Sequence, residues 1–218
     1  MARSRDEKRN QPRPETRPWL TGALLTIMLG AFVLAPNPEA LAWSAHALVD
    51  REPWRLLTGH WVHADAAHLA WNSIALVVLG SLIERHDRRL LVGSLAAGHL
   101  AVNGWLLTVN TGLSFYCGLS GVLHALLVTA LVLEWRHGSR PVALLAGVLC
   151  LAKLGTELLT GGAVITQTLW PAVPPAHAAG VLGGALLALA LALPARLRAG
   201  SASRPTAPGQ RYRAVRRL

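Results

Sequence analysis

The chain alternates between long stretches without a charged side chain and short clusters of arginine. Trp19 to Ala35 is uncharged and stops at Pro36, and Ala66 to Ile83 is the second such stretch. Leu90 to Leu133 runs 44 residues without a charge, and Pro141 to Ala195 carries only Lys153 and Glu157. A helix that crosses a bilayer needs roughly 20 apolar residues, since each adds about 1.5 Å against a hydrocarbon core of about 30 Å. The two longer stretches each have room for two crossings and a turn. The pattern predicts six spans, roughly 19–36, 66–84, 89–108, 118–135, 140–160 and 175–195. The expected fold is an all-α integral membrane protein, a six-transmembrane helix bundle.

Composition and charge refine that picture. Of 218 residues 52% are hydrophobic and only 15% charged, where a soluble domain carries about a quarter charged. The formal net charge is +10, and its placement matters more than its size. Arginines and one lysine crowd the first 17 residues; Arg85, Arg88 and Arg89 follow the second span, Arg136 and Arg140 the fourth, and seven arginines the sixth. In a six-span topology 18 of the 21 basic residues fall on one side, leaving Arg51 and Arg55 opposite and Lys153 inside a span. The positive-inside rule then puts both termini in the cytoplasm. Basic clusters flanking spans suit anionic lipid headgroups as partners and argue against nucleic acid.

The polar, Arg-rich ends, 1–18 and 196–218, are expected to be cytoplasmic tails around a six-span domain at 19–195, disordered over 1–18 and 199–218. The first apolar run follows a long polar tail and lacks a small-residue cleavage site, so it is expected to remain as a span. Between spans one and two lies the longest loop, about 36–65, with Trp43, Trp54 and Trp61 and a short helical pattern at Glu39–Val49. Its tryptophans predict a loop lying in the outer interface. Cys117 and Cys150 make no disulfide framework.

Polar residues at membrane depth are candidates for chemistry, because keeping them there is expensive. Ser120, in Gly118-Leu119-Ser120-Gly121, falls at the start of span four, where unpaired backbone N–H groups and the helix dipole would favour an oxyanion. His177 starts span six and could serve as the base that a serine hydroxyl needs. Gly180 and Gly184 descend from it at small-xxx-small spacing, which permits close packing, and a partner at Gly121 would bring His177 to Ser120. Nothing acidic lies close to either residue in the sequence, so a Ser-His dyad is expected rather than a triad. His68 and Asn72, four apart, share a helical face and could both donate to an oxyanion, or could simply tie span two to its neighbours.

Together these residues resemble the rhomboid intramembrane serine proteases. The resemblance rests on Gly118-x-Ser120-Gly121, His177-x-x-Gly180-x-x-x-Gly184, His68-x-x-x-Asn72, Trp54-Arg55 in the first outer loop, and Gly80-x-x-x-Glu84 at the inner end of span two. It implies Ser120 as nucleophile, His177 as general base, and His68, Asn72 and the Ser120 N–H as the oxyanion hole. Trp54, Arg55, Glu84, Gly118, Gly121, Gly180 and Gly184 would be structural. No cofactor or metal is implied. Where rhomboids often carry a tyrosine stacked on the histidine, this chain has His124, and its titration would couple to the dyad if it packs on His177. The run Gly118 to His124 in a compact chain is similar to the rhombosortase branch. That likeness implies a bacterial inner-membrane enzyme, opening to the periplasmic side, that processes secreted proteins with C-terminal Gly-Gly anchors.

Other polar groups stay open. His60-x-x-His63 near His68 has weak metal-site spacing and no carboxylate or thiol cluster with it. Lys153 and Glu157 are four apart in span five: either a mutually neutralised pair or modulators facing the substrate route. Glu84 beside Arg85, Arg88 and Arg89 predicts an interfacial ion-pair network.

Overall fold

In the computed structural model the described residues are 17–47, 49–109, 112–163 and 170–202, with 193–202 as backbone alone. Of the ends for which disorder was expected, residues 1–16 and 203–218 lie outside them, while 199–202 are helical, a correction to that expectation. Helix α1 covers Trp19–Leu34, a 3-10 turn Pro38–Ala40, strand β1 Trp43–Ser44 and the one-turn helix α2 Arg55–Thr58. Helix α3 (Ala66–Ala75) continues through a π-helical turn, Leu76–Gly80, into α4 (Ser81–His86). Then come α5 (Arg88–Thr108), strand β2 (Phe115–Tyr116), α6 (Ser120–His137), α7 (Arg140–Thr160) and α8 (Pro174–Ala202).

Helix boundaries follow local chemistry. Asp65 caps α3 through the His68 N–H at 2.8 Å and Asp87 caps α5 through the Arg89 N–H at 2.8 Å; a carboxylate satisfies amides that the first turn leaves unpaired. Helix α1 has no such cap of its own. Its Leu20 and Thr21 amides donate instead to the Glu84 carboxylate, at 3.0 and 2.7 Å, and the Thr21 hydroxyl donates at 2.9 Å. Glu84, fully buried, also accepts from Arg88. The expected arginine network at this end thus includes, among the described residues, the Arg88–Glu84 ion pair and a cap on another helix.

Helix α6 is the axis of the bundle. Its buried residues, Gly121, Val122, Leu123, Ala125, Leu126, Thr129, Ala130 and Leu133, lie on more than one face, as they must in a helix surrounded by others. Met28, Leu76, Ile83 and Leu91 join it in the main core. A buried hydrogen bond of 2.8 Å between Ser94 and Thr129 ties α5 to α6. The outward faces stay apolar and exposed, Leu144, Leu145, Leu149, Leu151 and Leu159 of α7 among them, a surface that water would not tolerate and lipid does. Four helical stretches are long and apolar enough to cross a membrane: Ala66–His86, Arg88–Thr108, Arg140–Thr160 and Pro174–Ala192. Helix α1 is shorter, with 16 residues, and α6 dilutes its apolar run with Ser120, His124, Glu134 and Arg136.

The connection from α1 to α3 departs from expectation. In place of a helix over 39–49, one 3-10 turn capped by Asn37 leads into β1, which pairs antiparallel with β2, Trp43 opposite Tyr116 and Ser44 opposite Phe115. The Pro38 ring favours a turn, and the strand pair satisfies backbone groups that loops would otherwise leave buried and unpaired. Arg55 fastens the loop: it pairs with Glu52 and donates to the carbonyls of Glu39 and Ala42. Its neighbour Trp54 is half exposed.

Candidate active site

At the end of the bundle where α6 and α8 begin, a cavity of about 780 Å³ opens. His68, Asn72, Ser120, His124, Lys153 and His177 all line it, under a rim that includes Trp71, Trp105 and Trp170. Four separate helices deliver the polar residues, and their spacing along the chain is irrelevant once the helices pack.

Ser120 is the first residue of α6 because Gly118 keeps the chain out of helix until there. Gly118 has φ +104°, open to glycine and strained for other residues, and its N–H donates to the Gly59 carbonyl at 2.9 Å. A Cβ at this position would collide with the His68 ring and lie 3.5 Å from Asn72 Nδ2. The loop therefore presses onto both side chains. The α6 N-terminus has no side-chain cap from its N-cap residue Leu119.

His177 stands in the first turn of α8, with its Nε2 3.0 Å from Ser120 Oγ. Gly180, three residues on, lets the two helices come this close: a Cβ there would overlap the Gly121 carbonyl oxygen. A Cβ at Gly184 would meet the Ala125 backbone at 2.8 Å. The expected meeting of Gly121 with the Gly180–Gly184 stripe is thus seen. The His124 ring stacks on His177, centroids 4.5 Å apart and planes 15° from parallel, while its Nδ1 donates to the Ser120 carbonyl at 2.8 Å. His68 and Asn72 line the same cavity, as their shared helical face predicts. Asn72 is buried, and its Nδ2 makes no hydrogen bond among the described residues.

The expectation that nothing acidic stands near the pair is corrected. Glu157 of α7, 1% exposed, accepts a hydrogen bond from His177 Nδ1 at 3.1 Å through Oε2, and its Oε1 pairs with Lys153 Nζ. Twenty residues separate Glu157 from His177, and only the packing of α7 against α8 joins them. The Lys153–Glu157 pair therefore exists as foreseen, but it is attached to the histidine rather than closed on itself.

One further feature escaped the sequence, and the histidine pair left open there finds its place. Tyr116, buried on β2, donates to the Gly118 carbonyl at 3.3 Å and lines the cavity; burial holds its phenol well above the ordinary range. In the loop before α3, His60 and His63 are buried beside other histidines, His60 against His99 and His63 against His68, with ring centroids 4.7 and 4.9 Å apart. Burial, aided by those neighbours, pushes both down to about 3, so they are neutral packing groups. Burial likewise raises the Cys117 thiol to about 12, far from a reactive thiolate. Among the described residues no group of three or more His, Cys, Asp or Glu side chains is arranged to hold a metal ion.

A serine hydroxyl on an imidazole nitrogen, inside an apolar bundle and beside polar donors, is suited to acyl transfer. The comparisons point the same way. Residues 50–194, more than half of the chain, match the Rhomboid domain. The chain is also 30% identical over 160 residues to RHOMBOID-like protein 7 of Arabidopsis thaliana, a match covering 70% of this chain and 47% of that protein. The chain thus spans about half the length of that relative. The apolar helices and these matches identify a multi-pass membrane protein, and the chain belongs to the rhomboid family.

Proposed function

We propose that this chain is an intramembrane serine endopeptidase that cuts single-span membrane proteins near the outer face of the bilayer. The observation that carries the reading is the 3.0 Å contact of Ser120 Oγ with His177 Nε2 inside the cavity. His177 Nε2 takes the hydroxyl proton as Ser120 Oγ attacks the peptide carbonyl carbon. The oxyanion so formed is held by His68, Asn72 and the Ser120 N–H. As the C–N bond breaks, His177 returns the proton to the leaving amine, and an acyl-serine remains. Water then attacks the ester with His177 again as base. An amine in place of water would give transpeptidation from the same acyl-enzyme.

All six long helical segments are taken to cross the membrane within 19–195, with both termini and the basic clusters on the cytoplasmic side. That topology follows from the arginine distribution. It opens the cavity to the outer side, and leaves the basic flanks to anionic headgroups. Substrate helices would unwind at small residues, since Gly loses helix cheaply. The Gly118 to His124 run and the compact chain favour a narrower reading: a bacterial inner-membrane enzyme that removes Gly-Gly C-terminal anchors from secreted proteins. A protease of general specificity is the broader alternative, and a client-binding protein without catalysis is the rival from another class.

The test is cleavage in reconstituted bilayers, read by intact mass, of one substrate with a Gly-Gly tail anchor and one generic single-span helix. Ser120→Ala and His177→Ala should each lower the rate by about 10³-fold or more. Cutting of the first substrate alone supports anchor processing, and cutting of both supports the general protease. Neither cut, with Ser120 inert to a fluorophosphonate, would leave the binding protein in its place.

A further inference from the structure

The carboxylate of Glu157 has two oxygens and two different partners. Oε1 pairs with Lys153 Nζ, one turn away on the same helix, and Oε2 receives His177 Nδ1 at 3.1 Å from a different helix. If the pair served only to cancel charge inside the bundle, the lysine would suffice and the second oxygen could face anything polar. It faces the ring that touches Ser120. We infer that Glu157 is a positioning residue for His177, making the site a Ser120–His177–Glu157 relay with Lys153 as counter-charge. This rests on the protease reading for its consequence, though not for its geometry.

The chemistry is that of tautomers. A neutral imidazole has one N–H, and a carboxylate can only accept, so the contact with Glu157 requires that proton on Nδ1. Nε2 is then a bare lone pair, the form that can receive the Ser120 proton. With the proton on Nε2 instead, His177 would donate toward Ser120 and could not act as base. In the attack step the Ser120 proton moves to Nε2, the Nδ1 proton stays where it is, and Glu157 stays ionised beside the imidazolium. Glu157 is 1% exposed on its side chain, so water does not compete for Oε2. The Lys153 side chain is 30% exposed and lines the cavity. It compensates the buried carboxylate, which alone in the bundle would be strongly unfavourable. Among the described residues, His124 stacks on one face of His177, and His68 lines the same cavity. Neither can take the place of an anionic acceptor at Nδ1.

The experiment separates relay from mere neutralisation. Lys153→Leu/Glu157→Leu removes both charges together, an exchange that buried pairs often tolerate without loss of stability. Glu157→Gln keeps the shape, and Glu157→Asp keeps the charge. Each is reconstituted with the wild type and followed by fluorophosphonate acylation of Ser120, by kcat and KM on a single-span substrate, and by the ¹⁵N spectrum of His177. The relay predicts a folded double variant and a folded Gln variant, each with acylation and kcat down on the order of 10³-fold and KM little changed. Glu157→Asp should recover part of the rate, and the Nδ1–H signature of the wild type should be lost or mixed in the other two. Wild-type acylation by the double variant, or an unchanged ¹⁵N signature in both, would overturn the inference. Should the double variant fail to fold, the Gln and Asp variants decide by the same readouts. A wild type that neither acylates nor cuts sinks the protease reading instead, while the ¹⁵N spectra still report whether Glu157 holds the ring.

Discussion

Single atoms at the α6–α8 contact decide whether Ser120 and His177 meet. At Gly180 the backbone of α8 rides directly on the Gly121 carbonyl, and any side chain must push the helices apart. Gly180→Ala is expected to cut acylation of Ser120 more than tenfold and to lower the melting temperature, measured by probe labelling and thermal unfolding of the same sample. Gly155→Ala is the control, because nothing lies within 4 Å of a Cβ there. It should be neutral or stabilising by up to about 1 kcal/mol through helix propensity. Equal effects of the two would remove the close approach from the account. Ser120, His177, His68 and Asn72 were legible in the sequence because polar residues stand out in apolar runs. Glu157 stood out too, but its partner did not: which face of α7 meets α8 depends on helix rotation, and neither periodicity nor spacing encodes that.

Among elements, the long apolar helices were legible by length, and their ends by charge; four of them are long and apolar enough to cross a membrane. The fifth predicted span and α7 coincide at 140–160, while α6 starts two residues later than span four because Gly118 holds a positive φ. The π turn at Leu76–Gly80 had no signal in the pattern. It inserts extra rotation between the half of the helix that carries His68 and Asn72 and the half that carries Glu84, so the two ends can face different neighbours. The cap on α1 was equally hidden, since its donor and acceptor are 63 and 64 residues apart. Glu84→Ala leaves the Leu20 and Thr21 amides without their carboxylate and Arg88 without its partner. The expected loss is about 3 kcal/mol, read from unfolding by a denaturing detergent, with Glu84→Gln in between. A loss under about 0.5 kcal/mol would mean that headgroup water serves α1 equally well.

For the whole molecule, the loop before α3 sets a limit in acid. His60 and His63 fall from the usual 6.5 to about 3 in the folded chain, so the unfolded chain takes up protons first as pH falls. Stability is therefore whole above about pH 6.5 and declines steadily toward pH 3. Thermal unfolding in bilayer discs should show a lower melting temperature at pH 5 than at pH 7, and a smaller difference in His63→Phe. An unchanged difference in that variant would assign the acid sensitivity to other groups.

The carboxylate at Glu84 also bears on how the chain is made. The amides it caps emerge from the ribosome first, and the cap follows only after the next 63 residues have been synthesised. Until then the start of the first helix must find its hydrogen bonds elsewhere. The opening turn of α1 and the far end of the α3–α4 helix are therefore latched together, and α1 is capped only once both have been made.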